Sequence, residues 1–396
     1  MRIGVSALAM RGSAEDLDSG VARYCAALVD AWIVDSGGHE LVVWTAPDFE
    51  LPQRWRGCPT VRFERAAGAW ARYKTLWEWF SAAAAARSRG CEVWFSTAHA
   101  VPLRPVVPTV LSIQDLFTFT HPELYTRKHR LVIGLALARA IRSADGLVAI
   151  SEHTRGQLAE RFGVARERVA VTPLGLGHRV EPVAASEVPA SALAALGVGG
   201  ERFLLTVSTV EPRKNLPRLC EAFARLAAEP RWADLRLVVA GSPGWKTAAS
   251  YRRPRELGIE DRVDFLGYVP DAELAALYAR CEAFVLPSIV EGFGLPLLEA
   301  MAFGAPVACS GGGALPEVGG DVPVYFDPLD VGDMTRAFAE LLGAGAARAE
   351  RAARGRARAA RFTWADAAAR TLAAVVAAGS AAAPRPGERG PMRQAR

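Results

Sequence analysis

The chain has 396 residues, 51% of them hydrophobic and 22% charged, with a formal net charge of +5. That length exceeds one ordinary core and predicts two domains, in a composition typical of globular rather than fibrous or disordered proteins. So small a basic excess, with no zinc-finger or RNA-binding signature, argues against a nucleic-acid partner.

From the start, strand-like and helix-like segments alternate, the pattern of parallel sheets with helices on their faces. Residues 2–8 read as the first strand, with no signal peptide ahead of it. Asp18 or Ser19 caps a helix running to about residue 34. Gly20, at its start, would let a ligand approach the backbone. Strands follow at 39–45 and 60–64, then a helix within 70–89 carrying Trp77, Trp79 and Phe80 beside Arg72 and Lys74. A membrane-facing or acceptor-facing helix and a core-packed face are both open readings of that stretch. Strands at 92–96 and 109–113 end in loops bearing His99 and Asp115. Open α/β sheets bind ligands beyond the carboxyl ends of their strands, which makes both residues candidates. A helix over 125–142, a strand at 146–150, a helix capped by Ser151 and a strand at 169–172 complete this half. The most apolar segment, 131–141, is too short and too interrupted by arginine to span a bilayer.

Residues 177–200, rich in Ala, Pro, Gly and Val, read as a linker. A second series starts with a strand at 203–207, followed by Thr209-Val210-Glu211-Pro212-Arg213-Lys214-Asn215 and a helix over 216–228. Two adjacent cations before a helix N-terminus make a diphosphate clamp, and Lys214 is one of only four lysines in the chain. The competing reading is a surface turn with two solvated charges. Strands at 237–240 and 263–265 lead to Gly267-Tyr268-Val269, and 283–286 reads as a buried strand stopped by Pro287. Beyond it, Gly292 and Gly294 bracket Phe293, and Pro296 takes the first position of a helix that Gly304 and Pro306 close. Glu291 falls in the loop and Glu299 in the helix's first turn. Both can accept hydrogen bonds from sugar hydroxyls; alternatively Glu299 only complements the helix dipole and Glu291 is a solvated loop residue. A strand at 306–309, glycines 311–313, a loop at 316–318 and a last helix from about 363 follow. The six cysteines show no metal spacing, which predicts reduced, buried thiols in a cytoplasmic protein.

The stretch 287–300 closely resembles the Glu-x7-Glu element of retaining nucleotide-sugar glycosyltransferases, in particular glycosyltransferase family 4. The stretch 209–215 resembles that family's donor-phosphate motif, and Ser151-Glu152 through Arg155 and Pro173-Leu174-Gly175 match it as well. The resemblance implies an α/β GT-B fold, two Rossmann-like doubly wound domains facing a central cleft. It implies an acceptor-side domain (1–176), a nucleotide-sugar domain (201–362) and a closing helix returning to the first domain (363–380); composition adds the linker (177–200) and a Pro-, Gly- and Arg-bearing tail expected to be disordered (381–396). Arg213 and Lys214 would hold the diphosphate, Glu291 the donor sugar and Glu299 the ribose. The backbone of Gly292, Phe293, Gly294 and Leu295 would lie near sugar and diphosphate, Val269 near the base and Gly20 near the phosphates, with His99 and Asp115 on the acceptor side. The implied reaction is transfer of a hexosyl unit, mannosyl from GDP-mannose being favoured, to a hydroxyl of a glycan or lipid-linked acceptor in cell-surface polysaccharide or glycoconjugate synthesis. Neither cofactor nor metal is expected, and peripheral contact with the inner face of the membrane is left open. Gln114 departs from the family's usual histidine; an amide can hydrogen-bond but cannot take up a proton. The alternatives are a nucleotide-sugar 2-epimerase of related fold and a non-catalytic nucleotide-sugar-binding subunit. Because Glu291, Glu299 and the two cations enter from different elements, substitutions are expected to separate their effects.

Overall fold

Strands such as Val93–Ser96, Thr109–Ile113 and Phe203–Val207 are buried along their whole length, as parallel sheets covered on both faces require. The computed structural model describes residues 1–13, 17, 19–97, 99–176, 182–183, 188, 193–194, 196–198, 202–343, 345 and 347–381. Asp18, most of the expected linker and all but the first residue of the expected tail lie outside them. The chain forms two units, Met1–Pro173 with Trp364–Arg396, and Leu174–Thr363.

The first unit holds a seven-stranded sheet: β1 (Arg2–Ala7), β2 (Glu40–Thr45), β3 (Val61–Arg65), β4 (Val93–Ser96), β5 (Thr109–Ile113), β6 (Gly146–Ala149) and β7 (Val169–Val171). All neighbours are parallel, in the order β3-β2-β1-β4-β5-β6-β7. The order reverses between β1 and β4, where the connecting loops diverge and open a crevice at the carboxyl edge. Ser19 caps the Gly20–Val34 helix by accepting from the Ala22 amide at 3.1 Å. The final helix, Trp364–Ala381, packs against that helix and against β4 to β7. Trp32 Nε1 donates to the Ala368 carbonyl at 3.1 Å, and the Tyr24 and Trp364 rings lie 6.3 Å apart.

The second unit holds β8 (Phe203–Val207), β9 (Arg236–Ala240), β10 (Val263–Gly267), β11 (Ala283–Leu286), β12 (Val307–Ser310) and β13 (Val324–Phe326). Their order is β10-β9-β8-β11-β12-β13, so the reversal falls between β8 and β11. The amphipathic helices Leu216–Ala227 and Val331–Leu342 bury Leu219, Phe223, Met334 and Phe338 in one core against this sheet.

Several expectations are corrected. The stretch 70–89 is two short helices, Lys74–Phe80 and Ala82–Ser88, broken at Ser81. Trp77 and Glu78 are buried, while Trp70, Tyr73 and Phe80 are exposed. Residues 316–318 belong to a short helix, Leu315–Gly319, rather than a loop. The Leu295–Phe303 helix starts one residue before Pro296, on Gly294 in the left-handed region. Glu299 therefore stands in its second turn, and its first turn has no acidic residue; the dipole-complement reading loses its basis, since that effect fades beyond the first turn. All six cysteines are unpaired and five are buried. Among the described residues no helix is long and apolar enough to cross a membrane.

Candidate functional site

The loops after β8 and β11 meet at the point where the second sheet's order reverses. After β8 the chain makes one turn, Pro212–Lys214, then enters the Leu216–Ala227 helix through Asn215, whose φ is 58°. The Asn215 side chain donates from Nδ2 to the carbonyls of Pro287 (3.1 Å) and Pro328 (2.7 Å). The Ile289 amide donates to the Arg213 carbonyl at 2.8 Å. One backbone bond and the Asn215 side chain thus dock 209–215 onto 287–291, so the side chains between them are held in register.

Four charged groups occupy that junction. Arg213 Nη1 donates to Glu291 Oε2 and Lys214 Nζ to Glu291 Oε1, each at 2.6 Å. Ser288 Oγ adds a third bond to Oε1 at 2.6 Å. On its other side Arg213 donates to Glu211 Oε1, at 3.0 Å from Nε and 2.7 Å from Nη2, and to the Val290 carbonyl at 3.0 Å. Glu211, Lys214 and Glu291 are only 4%, 8% and 7% exposed, so these charges interact in a medium far less screening than water. Burial works to raise the Glu291 carboxyl. The charges of Arg213 and Lys214 and the bonds from Lys214 and Ser288 outweigh it, holding the group down at about 2. Burial and the neighbouring Arg213 lower the Lys214 ammonium, against the pull of Glu291 and Glu211.

Glu291 is thus neither a solvated loop residue nor independent of the cations; it is their common counter-charge. Replacing Glu291 is therefore expected to disturb both cations as well, rather than to leave their effects separate. Glu211 and Ser288 had drawn no role from the sequence, although each lies within three residues of the group it orients. Behind the loop, Ser310 Oγ donates to the Ser288 carbonyl at 2.5 Å and the Ala314 amide to the Glu291 carbonyl at 2.9 Å.

The other candidates are distributed around this cluster. Gly292 and Gly294 are buried, and the Phe293 ring is 3% exposed, lying edge-on to Phe362 at 5.8 Å. Leu295, half-buried, opens a helix whose N-terminus has no side-chain cap; the Leu297 and Leu298 amides donate to the Gly294 carbonyl at 3.1 and 3.2 Å and Pro296 has none, which leaves the Leu295 amide for another acceptor. Glu299 is half-buried and accepts from Tyr278 Oη at 2.8 Å. Val269 follows β10 with its side chain 2% exposed.

In the first unit, Gly20 is exposed at the helix start, and a Cβ there would meet nothing within 4 Å. His99, with φ 57°, and Asp115, which accepts from the Phe117 amide at 3.1 Å, follow the neighbouring strands β4 and β5. Gln114 donates to Ser112 Oγ at 2.9 Å, and Ser112 Oγ donates to Tyr24 Oη at 3.1 Å, so the amide is part of an internal chain of bonds. Among the described residues no group of three or more His, Cys, Asp or Glu side chains could hold a metal ion.

Comparison with known proteins bears on what this arrangement does. Residues 19–179 match the family described as Glycosyltransferase Family 4, and 194–358 match Glycosyl transferases group 1. The O-antigen chain mannosyltransferase B of Escherichia coli is 32% identical over 266 residues, covering 66% of this chain and 68% of that protein. A GDP-mannose-dependent alpha-(1-6)-phosphatidylinositol monomannoside mannosyltransferase of Mycolicibacterium smegmatis is 28% identical over 260 residues, covering 63% and 66%. The crystal structure of Anabaena Alr3699/HepE in complex with UDP and glucose superposes with a TM-score of 0.70 at 18% identity, covering 94% of this chain and 99% of that one. Both halves of the chain match glycosyltransferase models, and the two motifs that suggested a donor site are in direct contact. The chain belongs to glycosyltransferase family 4 and is a glycosyltransferase of the GT-B fold.

Proposed function

We propose that the chain moves a mannosyl unit from GDP-mannose to a hydroxyl of a glycan or lipid-linked acceptor, with retention at the anomeric carbon and without a metal ion. The observation that carries this reading is the Arg213–Glu291–Lys214 ion cluster at the β8/β11 reversal. As the sugar–phosphate bond breaks, negative charge grows on the departing diphosphate. Arg213 and Lys214, already fixed by Glu211 and Glu291, neutralise that charge without having to reorganise. The N-terminus of the Leu295–Phe303 helix offers the Leu295 amide and the positive end of its dipole to the same phosphates. A carboxylate accepts about four hydrogen bonds, and Glu291 uses three, so a place on Oε2 remains for a sugar hydroxyl. Glu299 then serves the ribose, the Val269 backbone the base and Gly20 the phosphates, with His99 and Asp115 on the acceptor side. The mannosyl assignment is supported by the names of the two relatives at 28% and 32% identity. The neighbour holding UDP shares only 18% of its sequence and supports the fold alone.

Thermal shifts with GDP, UDP and GMP test this reading through binding linkage. GDP is expected to raise Tm more than UDP and far more than GMP. Equal shifts with GDP and GMP would remove the diphosphate clamp, and a larger shift with UDP would move the donor to a UDP-sugar. EDTA should leave turnover of GDP-mannose unchanged, and free GDP should be released, whereas a 2-epimerase would leave the sugar on its nucleotide. Peripheral contact of the first unit with an anionic bilayer belongs to the same proposal. Its support is the exposed apolar group Trp70, Tyr73, Phe80, Leu131, Val132 and Leu135, and co-sedimentation with vesicles is its measure.

A further inference from the structure

Each unit has its own reversal of strand order, and crevices of this kind collect ligands. In the second unit the β8/β11 reversal carries the ion cluster described above. The β1/β4 reversal of the first unit carries a different set of charged groups. Glu78, on the Lys74–Phe80 helix, is 2% exposed. It accepts from Ser6 Oγ at 2.6 Å, near the carboxyl end of β1, and from Trp94 Nε1 at 2.7 Å. It also accepts from Ser96 Oγ, at the carboxyl end of β4. These three donors pin the short helix over the crevice.

Lys74 lies one turn before Glu78 on that helix and is half-buried. The cluster's other polar groups are committed: Thr97 Oγ1 donates to the Ser6 carbonyl at 2.7 Å and Cys25 Sγ to Thr97 Oγ1 at 3.1 Å. Among the described residues Lys74 makes no hydrogen bond or ion pair, although an ammonium has three N–H donors to place. Burial lowers its affinity for the proton; Cys25 and Glu78 oppose this, and Arg11, on the loop after β1, adds to it. Burial raises the Cys25 thiol, leaving Glu78 as the facing anion among the described residues, already engaged by two hydroxyls and an indole. Arg11 is anchored by its Nη2 on the Arg72 carbonyl at 2.6 Å. Two cations of like charge at a crevice, one with no partner among the described residues, form a place for an anion.

We propose that the first unit holds a second phosphate site at the β1/β4 reversal, built on Lys74 with Arg11, and that it takes a phosphate or diphosphate ester of the acceptor. The acceptor assignment rests on the transfer reading; the anion site does not. Glu78 is a positioning residue there, since its carboxylate is too buried to touch a ligand.

Inorganic pyrophosphate is the probe, titrated by calorimetry into the full chain already saturated with GDP, which occupies the donor site. Wild type is expected to bind pyrophosphate in addition to GDP. Lys74→Met should weaken that binding about ten- to a hundredfold, the worth of one charge-assisted bond, while Lys74→Arg retains most of it. GDP affinity should be the same in all three. Arg11→Gln, in an exposed loop, serves as the second variant should Lys74→Met not fold, and should also weaken pyrophosphate. Pyrophosphate binding that is absent from wild type, or unchanged in a folded Lys74→Met or Arg11→Gln variant, overturns the site. If GDP itself does not bind, the donor reading fails separately, and the comparison of wild type with Lys74→Met still decides this one.

Discussion

The buried carboxylate of Glu291 ties two positive charges to one loop, and the balance of that arrangement is measurable. An ion pair taken out of water is weak evidence for stability, because desolvation cancels much of the attraction, but removing one partner leaves an uncompensated buried charge and costs about 3–5 kcal/mol. The carboxyl is held at about 2 against an ordinary 4.5. A depressed acid contributes stability above its unfolded value and loses it as pH falls towards its folded value. The amount is about 3 kcal/mol, present at neutral pH and lost between roughly 4.5 and 2. Glu291→Gln should therefore lower Tm at pH 7, and the gap to wild type should close over that acidic window. A gap of the same size at pH 7 and pH 2.5 would mean that Glu291 is not the counter-charge. Because Arg213 and Lys214 lose their fixed partner, GDP affinity should fall in the same variant. The motifs were legible in the sequence because both are contiguous and chemically unusual. Their mutual contact was not, since 77 residues separate Lys214 from Glu291 and nothing local announces the pairing.

At the scale of elements, the loop bearing Glu291 is supported from behind by the turn after β12. A Cβ on Gly312 would lie 2.2 Å from the Ile289 carbonyl oxygen, and one on Gly313, where φ is +70°, would lie 2.2 Å from that of Glu291. A Cβ on Gly311 would meet nothing within 4 Å. Gly312→Ala and Gly313→Ala should each destabilise by about 1–3 kcal/mol, the usual cost of forced repacking, and weaken GDP binding by shifting the Glu291 backbone. Gly311→Ala should stay within about 0.5 kcal/mol of wild type. Similar Tm losses for all three would show that the turn is merely flexible. The glycine run was visible as a run; which two members are indispensable depends on the strand of backbone passing beside them. The helices Ala248–Glu256 and Ala347–Ala359 went unread for the opposite reason. The first carries four charged residues in nine, contains Pro254 and buries only Ser250 and Pro254. The second buries only Gly355 and Ala359, so it has no apolar stripe to give a period. Gly355 allows the close approach of that helix to Met301, on the Leu295–Phe303 helix.

Over the whole molecule, the doubly wound pattern of both sheets was legible from alternating apolar and amphipathic segments, because parallel strands buried on two faces leave little else to the sequence. The distribution of exposed apolar side chains was not, since Trp77 and Trp79 read the same from periodicity whichever way the helix turns. Ten large hydrophobic residues are exposed among the described residues, and six of them, Trp70, Tyr73, Phe80, Leu131, Val132 and Leu135, lie in two segments of the first unit. Leu103 joins those segments, its amide donating to the Trp79 carbonyl at 3.1 Å and its carbonyl accepting from Arg139 Nη2 at 2.8 Å. Exposed Arg72, Arg104, Arg127, Lys128 and Arg130 stand in the same segments, with Glu123 the exposed carboxylate among them. Aromatic rings and leucines with a cationic surround suit the interface of an anionic bilayer, each cation adding about 1 kcal/mol at the surface. The full chain should sediment with vesicles containing phosphatidylglycerol, less in high salt, and only weakly with phosphatidylcholine alone. Leu131→Glu with Leu135→Glu should abolish sedimentation while leaving Tm and GDP binding as in wild type, since both side chains are exposed and lie in the unit without the ion cluster. Sedimentation that survives this double substitution, or that ignores lipid charge, would remove the bilayer as the occupant of this face.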